Sequence, residues 1–167
     1  MSLALTLYNA ATPWLPNRGF FALRRALLRT AGIEVGRDVR IAGGARFYGE
    51  NIRVGANSWI GPEASIIGTA SGPVSIGANV DLGPGVLVTS GTHQVGTSQH
   101  RAGAAASAPV AIGNGTWVGA RSVILAGARI GDGCVVAGGS VVTAGDYRTD
   151  ALLAGVPARM VKTYHAD

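Results

Sequence analysis

An aliphatic or aromatic residue returns at every sixth position along most of this chain. The series runs Val35, Ile41, Phe47, then Val54, Ile60, Ile66, then Ile76, Leu82, Val88. It continues unbroken through Ile112, Val118, Ile124, Ile130, Val136 and Val142. Helices bury positions three and four apart and simple strands alternate, so a period of six fits neither. It fits a short strand and a turn, repeated. Two residues before each member stands a second inward candidate, small or aliphatic, such as Val39, Ala45, Ser58, Thr116, Ser122, Cys134 and Ser140.

A coarser period lies on top. Glycine follows the first rung of every three (Gly36, Gly55, Gly77, Gly113, Gly131), where it is expected to supply backbone angles that other residues avoid. The second rung has Gly61, Gly83 and Gly119, or alanine, and the third never has glycine. Three unequal sides per turn mean a triangular coil, and fifteen rungs make about five coils. Extra residues fall only after a third side, as they must if insertions in a solenoid leave at one corner. Parallel coils stacked about 4.8 Å apart would build a prism roughly 24 Å tall.

The repeat divides the chain into an N-terminal segment 1–32, a solenoid 33–145 with a long loop 91–109, and a C-terminal tail 146–167. In the first segment Asn17 is placed to cap a helix over 20–29, and Gly32 to stop it. Phe20, Leu23, Leu27 and Leu28 share one face of that helix, while Arg24, Arg25 and Arg29 make a basic remainder. A cap over the open end of the solenoid is the reading adopted. A membrane-surface helix is the alternative.

Composition narrows the classes. Charged residues are 14% and hydrophobic ones 47%, which excludes a disordered chain. The single cysteine, Cys134, excludes an intrachain disulfide and a Cys-rich zinc site. The net charge of +5, almost all arginine on the basic side, suits an anionic small molecule or a lipid surface. No basic stripe or stacking platform for nucleic acid accompanies it. There is no membrane-spanning apolar run and no signal-peptide head, so the expectation is a cytoplasmic, single-domain protein.

Long loops are uncommon unless used, so the longest insertion is the place to seek chemistry. His93 stands where the chain leaves the coil. Histidine titrates near neutral pH and can act as a general base, or it can simply tie a loop. Three further stretches weigh on that choice. Trp117-Val118-Gly119-Ala120 follows the loop, then Ala137-Gly138-Gly139-Ser140, then Gly155-Val156-Pro157-Ala158-Arg159. In this order, with a histidine loop upstream, they resemble the hexapeptide-repeat acyltransferases of the maltose, galactoside and nodulation-factor O-acetyltransferase group. The resemblance covers residues 33–162 and is specific from Thr89 onward.

That resemblance implies a left-handed parallel β-helix, an all-β solenoid, and a homotrimer with each site between two subunits. It implies direct transfer from acetyl-CoA to an acceptor hydroxyl, with His93 as base and no metal. The Ala120 amide takes the oxyanion role. Trp117, Gly119, Ala120 and Gly138 would line the pantetheine arm, and Arg159 and Lys162 would meet the coenzyme's phosphates. Trp117 equally suits packing against a loop or neighbour. Glu63 and Asp81 should point outward; they would orient His93, bind acceptor hydroxyls, or stay solvated. Cys134 falls on an inward position and reads as core.

Three departures stand out. Ala144 replaces a lysine common after Val-Val-Thr, Gln94 replaces a proline, and the second coil, Ser58 to Glu63, lacks the asparagine that contacts acceptor in the sugar acetyltransferases. The expectation is therefore an O-acetyltransferase for a carbohydrate or glycan precursor. N-acetylation of an amino sugar and a non-catalytic scaffold are the alternatives. A zinc enzyme on this fold needs three convergent histidines, and His93, His100 and His165 show no such spacing.

Overall fold

The computed structural model describes residues 3–164. His165, in the tail, lies outside them. The chain coils into a prism with three parallel sheets. Face A carries the strands Glu34–Val35, Ile52–Val54, Val74–Ile76, Val110–Ile112, Ala128–Ile130 and Gly145–Tyr147. Face B carries Arg40–Ile41, Trp59–Ile60, Asp81–Leu82, Trp117–Val118, Val135–Val136 and Ala151–Gly155. Face C carries Arg46–Tyr48, Ser65–Ile67, Leu87–Thr89, Val123–Ile124 and Val141–Val142. Every sixth-position residue from Val35 to Val142 is buried, and Val39, Ala45, Ala64, Val80, Val86 and Cys134 fill the second inward column.

Inward hydroxyls are satisfied by the next coil. Ser58 Oγ donates to Gly77 O at 2.9 Å, Thr116 Oγ1 to Gly131 O at 3.0 Å, and Ser122 Oγ to Ala137 O at 2.9 Å. These three inward hydroxyls are therefore paired along the stacking axis, as a dry interior requires.

The five coils read from the sequence are present, and the stack goes two sides further. Residues 145–155, read as the start of the tail, form sides A and B of a sixth coil. Ile130 lies beside Tyr147 and Val136 beside Leu153, so the period slips by one residue after Val142 and then resumes. A strand from Ala158 to Thr163 folds back antiparallel on Ala151–Gly155 and closes face B.

The glycines after each first rung do not serve unusual dihedrals. A Cβ on Gly36 would stand 2.6 Å from Ala56 N, and one on Gly131 2.6 Å from Thr149 N. Close approach of successive coils excludes a side chain there. The left-handed backbone sits two residues later, at Asp38, Asn57, Asn79 and Gly115, where Asn and Asp tolerate it.

Two helices cover the open end: α1 (Leu3–Ala11) and α2 (Phe21–Thr30), joined through a 3-10 turn at Thr12–Trp14. α1 was not expected, and Asn17 does not cap α2. Phe20 is the N-cap, with φ 51° and no side-chain cap bond, while the Asn17 carbonyl accepts from Gly43 N. The face expected to be apolar splits at α2: Leu28 is buried and Leu27 half-buried against the core, whereas Phe20 and Leu23 are exposed. Arg24 is fully buried and donates to the carbonyls of Gly19 (2.6 Å), Pro16 (2.8 Å) and Ile41 (3.3 Å). Arg25 reaches Val39 O and Arg29 reaches Val35 O. The first coil leaves carbonyls with no coil beneath them, and arginine is long enough, and rich enough in donors, to satisfy them. Burial pushes the Arg24 guanidinium below its ordinary pKa and the neighbouring Tyr8 hydroxyl above its own.

Candidate active site

All three insertions leave at the corner between faces C and A. The longest is an ordered β-hairpin rather than a loose loop: Gly91–Thr97 pairs antiparallel with His100–Ser107. Its small residues permit close strand approach, Gly96 against Gly103, so cross-strand bonding orders it without a neighbour. At its root Ser71 Oγ lies 2.7 Å from Ser107 Oγ, which ties it to the shorter insertion below.

His93 sits on the first hairpin strand opposite Ala105, and its side chain is exposed. Nδ1 lies 3.0 Å from the carbonyl oxygen of Gly103. A carbonyl only accepts, so Nδ1 carries the proton and Nε2 presents its lone pair outward. That is the tautomer a general base needs. Gly103 was missed from sequence because its part is played by the backbone.

The corner between faces B and C gathers most of the other candidates. Ala120, Gly138 and Gly155 stack there in successive coils. Gly119 N donates to Val136 O, Arg121 N to Pro84 O and Gly139 N to Ala120 O, whereas the exposed Ala120 N–H has no partner among the described residues. It is a free donor at an exposed edge. A Cβ on Gly138 would approach Ala120 O to 3.2 Å, so its absence keeps that edge open. Gly119 has a different reason: a Cβ would sit 2.5 Å from Gly138 N, so coil stacking demands glycine. Arg159 pairs in register with Ala154 and Lys162 with Leu152, which places both cations on the closing strand of face B. Both are exposed, and Lys162 Nζ lies 5.1 Å from the Tyr164 ring centroid. Trp117 projects from face B, beside Asp81 and Val135.

The acidic candidates part company. Glu63, at φ 60°, helps line a cleft of about 450 Å³ with Pro13, Asn17, Gly44, Arg46 and Ser65. Asp81 lies on face B between Trp59 and Trp117. From sequence Asn17 is only a helix-cap candidate and Arg46 has no assigned part, since only the folded cap brings Pro13 and Asn17 against the first two coils. Cys134 is buried, its Sγ 3.2 Å from Arg148 O, and burial pushes its thiol pKa up, as expected of a core residue. Among the described residues no cluster of three His, Cys, Asp or Glu side chains could hold a metal.

Within one chain His93 and the Ala120 N–H stand at opposite corners of face C, and the fold does not bring them together.

The bacterial transferase hexapeptide model (six repeats) matches residues 109–144, and the hexapeptide repeat of succinyl-transferase matches residues 49–90. Galactoside O-acetyltransferase of Escherichia coli K12 is 33% identical over 140 residues, 83% of this chain and 68% of that one. The chain belongs to the hexapeptide-repeat acyltransferases. Solved structures agree with that membership. A maltose O-acetyltransferase from Clostridium difficile 630 superposes with a TM-score of 0.77 at 28% identity, over 98% of this chain and 83% of that one. A hexapeptide-repeat acetyltransferase from Vibrio cholerae, complexed with acetyl-CoA, gives 0.78 at 27%, over 98% and 88%. Such members are left-handed β-helices, and the acyltransferase assignment follows from the family.

Proposed function

We propose that this chain is an acetyl-CoA-dependent O-acetyltransferase acting on a hydroxyl of a carbohydrate or glycan precursor. The observation that carries the mechanism is the His93 Nδ1 contact with Gly103 O, which leaves Nε2 free to accept a proton. The acceptor hydroxyl gives its proton to Nε2 as its oxygen attacks the thioester carbon. A C–O bond forms and the carbonyl becomes an oxyanion. The unpaired N–H of Ala120 donates to that oxyanion; removing such a donor typically costs about 3 kcal/mol. Collapse breaks the C–S bond, and the leaving thiolate takes the proton back from the imidazolium. No acyl-enzyme is needed, and buried Cys134 is out of reach of substrate.

The pantetheine arm runs along the exposed edge of Ala120 and Gly138, past Trp117, toward Arg159 and Lys162. Guanidinium and ammonium groups there suit the coenzyme's phosphates. The cleft holding Glu63, Arg46 and Asn17 offers the acceptor carboxylate, guanidinium and amide partners for hydroxyl groups. Asp81 stands outside that cleft, on face B.

The site closes in a homotrimer. Above Arg46 the outward positions of face C are Ser65, Leu87, Val123 and Val141, flanked by Ile67, Thr89, Leu125 and Thr143. None is charged. Face A instead shows Glu34, Arg53, Arg129 and Asp146, paired across coils. An uncharged sheet face suits a second copy of the chain, and packing there sets the hairpin of one prism beside the edge of the next.

The experiment is thiol release from acetyl-CoA across mono-, oligo- and nucleotide-sugar acceptors, amino sugars included, for wild type and His93→Ala. The expected result is acceptor-dependent release that falls about 10²- to 10⁴-fold in the variant with coenzyme A binding retained. Wild type that fails to bind coenzyme A overturns the transferase reading in favour of a scaffold. Turnover on amino sugars alone moves it to N-acetylation.

A further inference from the structure

The cap presents an unusual outer surface. α1 holds no charged residue, and the three arginines of α2 are turned inward onto the first coil. What faces away from the prism is Leu3, Leu7, Trp14, Phe20 and Leu23, between 46% and 89% exposed, with Ala10, Ala22 and Ala26 among them. Apolar side chains gathered on one end of a molecule mark an interaction surface.

Charge says what covers it. The first 53 residues carry eight arginines against Glu34, Asp38 and Glu50, and the rest of the chain is balanced. The whole net charge of +5 therefore belongs to the capped end. Arg18, Arg37 and Arg40 are exposed there. Arg18 and Arg40 also flank a hollow of about 420 Å³ with Phe21 and Trp59, where Arg40 Cζ lies 5.6 Å from the Trp59 ring centroid. Two guanidinium groups beside aromatic walls fit a phosphate headgroup. An apolar face with an exposed tryptophan and a cationic margin is the composition of a helix that lies in a bilayer interface. Among the described residues no helix is long and apolar enough to cross one.

We infer that the two-helix cap docks this protein on an anionic membrane surface. Leu3, Leu7, Trp14, Phe20 and Leu23 enter the headgroup boundary, and Arg18 and Arg40 hold lipid phosphates at its margin. The prism then stands on the bilayer by its capped end. Docking is independent of which acceptor the enzyme uses and of whether His93 is the base.

Co-sedimentation with vesicles tests it, using the full chain and vesicles of phosphatidylcholine alone or with 30% phosphatidylglycerol. Wild type is expected to pellet with the anionic vesicles and to bind neutral ones at least tenfold more weakly. The variant Leu3→Gln/Leu7→Gln/Leu23→Gln is expected to lose at least tenfold in binding, with its sedimentation coefficient in free solution unchanged. Should that variant fail to fold, Arg18→Gln/Arg40→Gln serves, and must lose the preference for phosphatidylglycerol. Wild type left in the supernatant with both vesicle types overturns the inference, as does unchanged pelleting of a folded variant. A triple variant that falls to a smaller oligomer, with no vesicle binding by wild type, assigns the face to a second copy instead.

Discussion

Replacing Gly103 by alanine isolates how the hairpin holds its histidine. The new Cβ would stand 2.9 Å from the Gln94 carbonyl oxygen and 3.1 Å from Gly96 N, both backbone atoms of the opposite strand. Neither can swing aside as a side chain would, so the strands must part where Gly103 meets His93. That parting weakens the 3.0 Å contact that sets the tautomer. Such a bond is worth about 0.5–1.5 kcal/mol net, which converts to a kcat about twofold to about tenfold lower. Losing the base altogether costs far more, about 10²- to 10⁴-fold. KM for acetyl-CoA should move less than kcat, because the residues assigned to the coenzyme lie on stacked coils that the substitution does not touch. The urea midpoint should hardly move either, because the hairpin stands outside the stacked coils. Steady-state thiol release supplies kcat and KM, with Gly91→Ala as control: its Cβ meets Thr69 Cγ2 at an ordinary 3.6 Å. A Gly103→Ala enzyme with wild-type kcat, or a Gly91→Ala enzyme equally slowed, would refute the tautomer lock.

Three other outcomes follow from the packing. Arg24→Met strands three carbonyls that the cap helices leave without other donors, and should cost about 2–4 kcal/mol in urea unfolding; a loss under about 1 kcal/mol would mean water replaces the guanidinium. Tyr8 and Cys134 both have pKa values raised by burial, so the unfolded chain ionises first as pH rises. Stability from these groups is intact at neutral pH and should fall from about pH 9 upward, and a flat profile of urea midpoint to pH 11 would contradict it. Leu87→Arg puts a charge in the middle of face C and should convert a sedimenting trimer to monomer with activity lost; a monomeric wild type at micromolar concentration would end the trimer reading.

Much of the prism was legible because its rule is local. A buried residue must recur wherever a side crosses the axis, and the spacing survives insertions that leave at a corner. Legibility ended where that rule changed. The one-residue slip after Val142 hid the sixth coil. The periodicity of α2 groups Phe20 and Leu23 with Leu27 and Leu28, but only Leu27 and Leu28 pack inward, beside Arg24. Arg24, Arg25 and Arg29 reach the first coil because its end offers carbonyls at Ile41, Val39 and Val35, beside the apolar contacts that Leu5, Tyr8 and Leu28 make there. The site candidates divided in the same way. His93 could be found as a side chain in an insertion, whereas its partner, the Gly103 carbonyl, has no sequence signature. Glu63 was nameable as outward, but its cleft depends on Pro13 and Asn17 arriving from the cap.

The corner between faces C and A has one more consequence. Lengthening or shortening the chain there changes no strand register, since Ile66 still lies beside Val88, and Ile76 beside Ile112, across insertions of very different size. Heritable change in residue number is thus confined to a single edge, while the opposite edge, with Ala120 and Gly138, is locked by coil-to-coil spacing. A lineage built this way can trade one hairpin for another while the spacing of Ala120 and Gly138 stays fixed throughout.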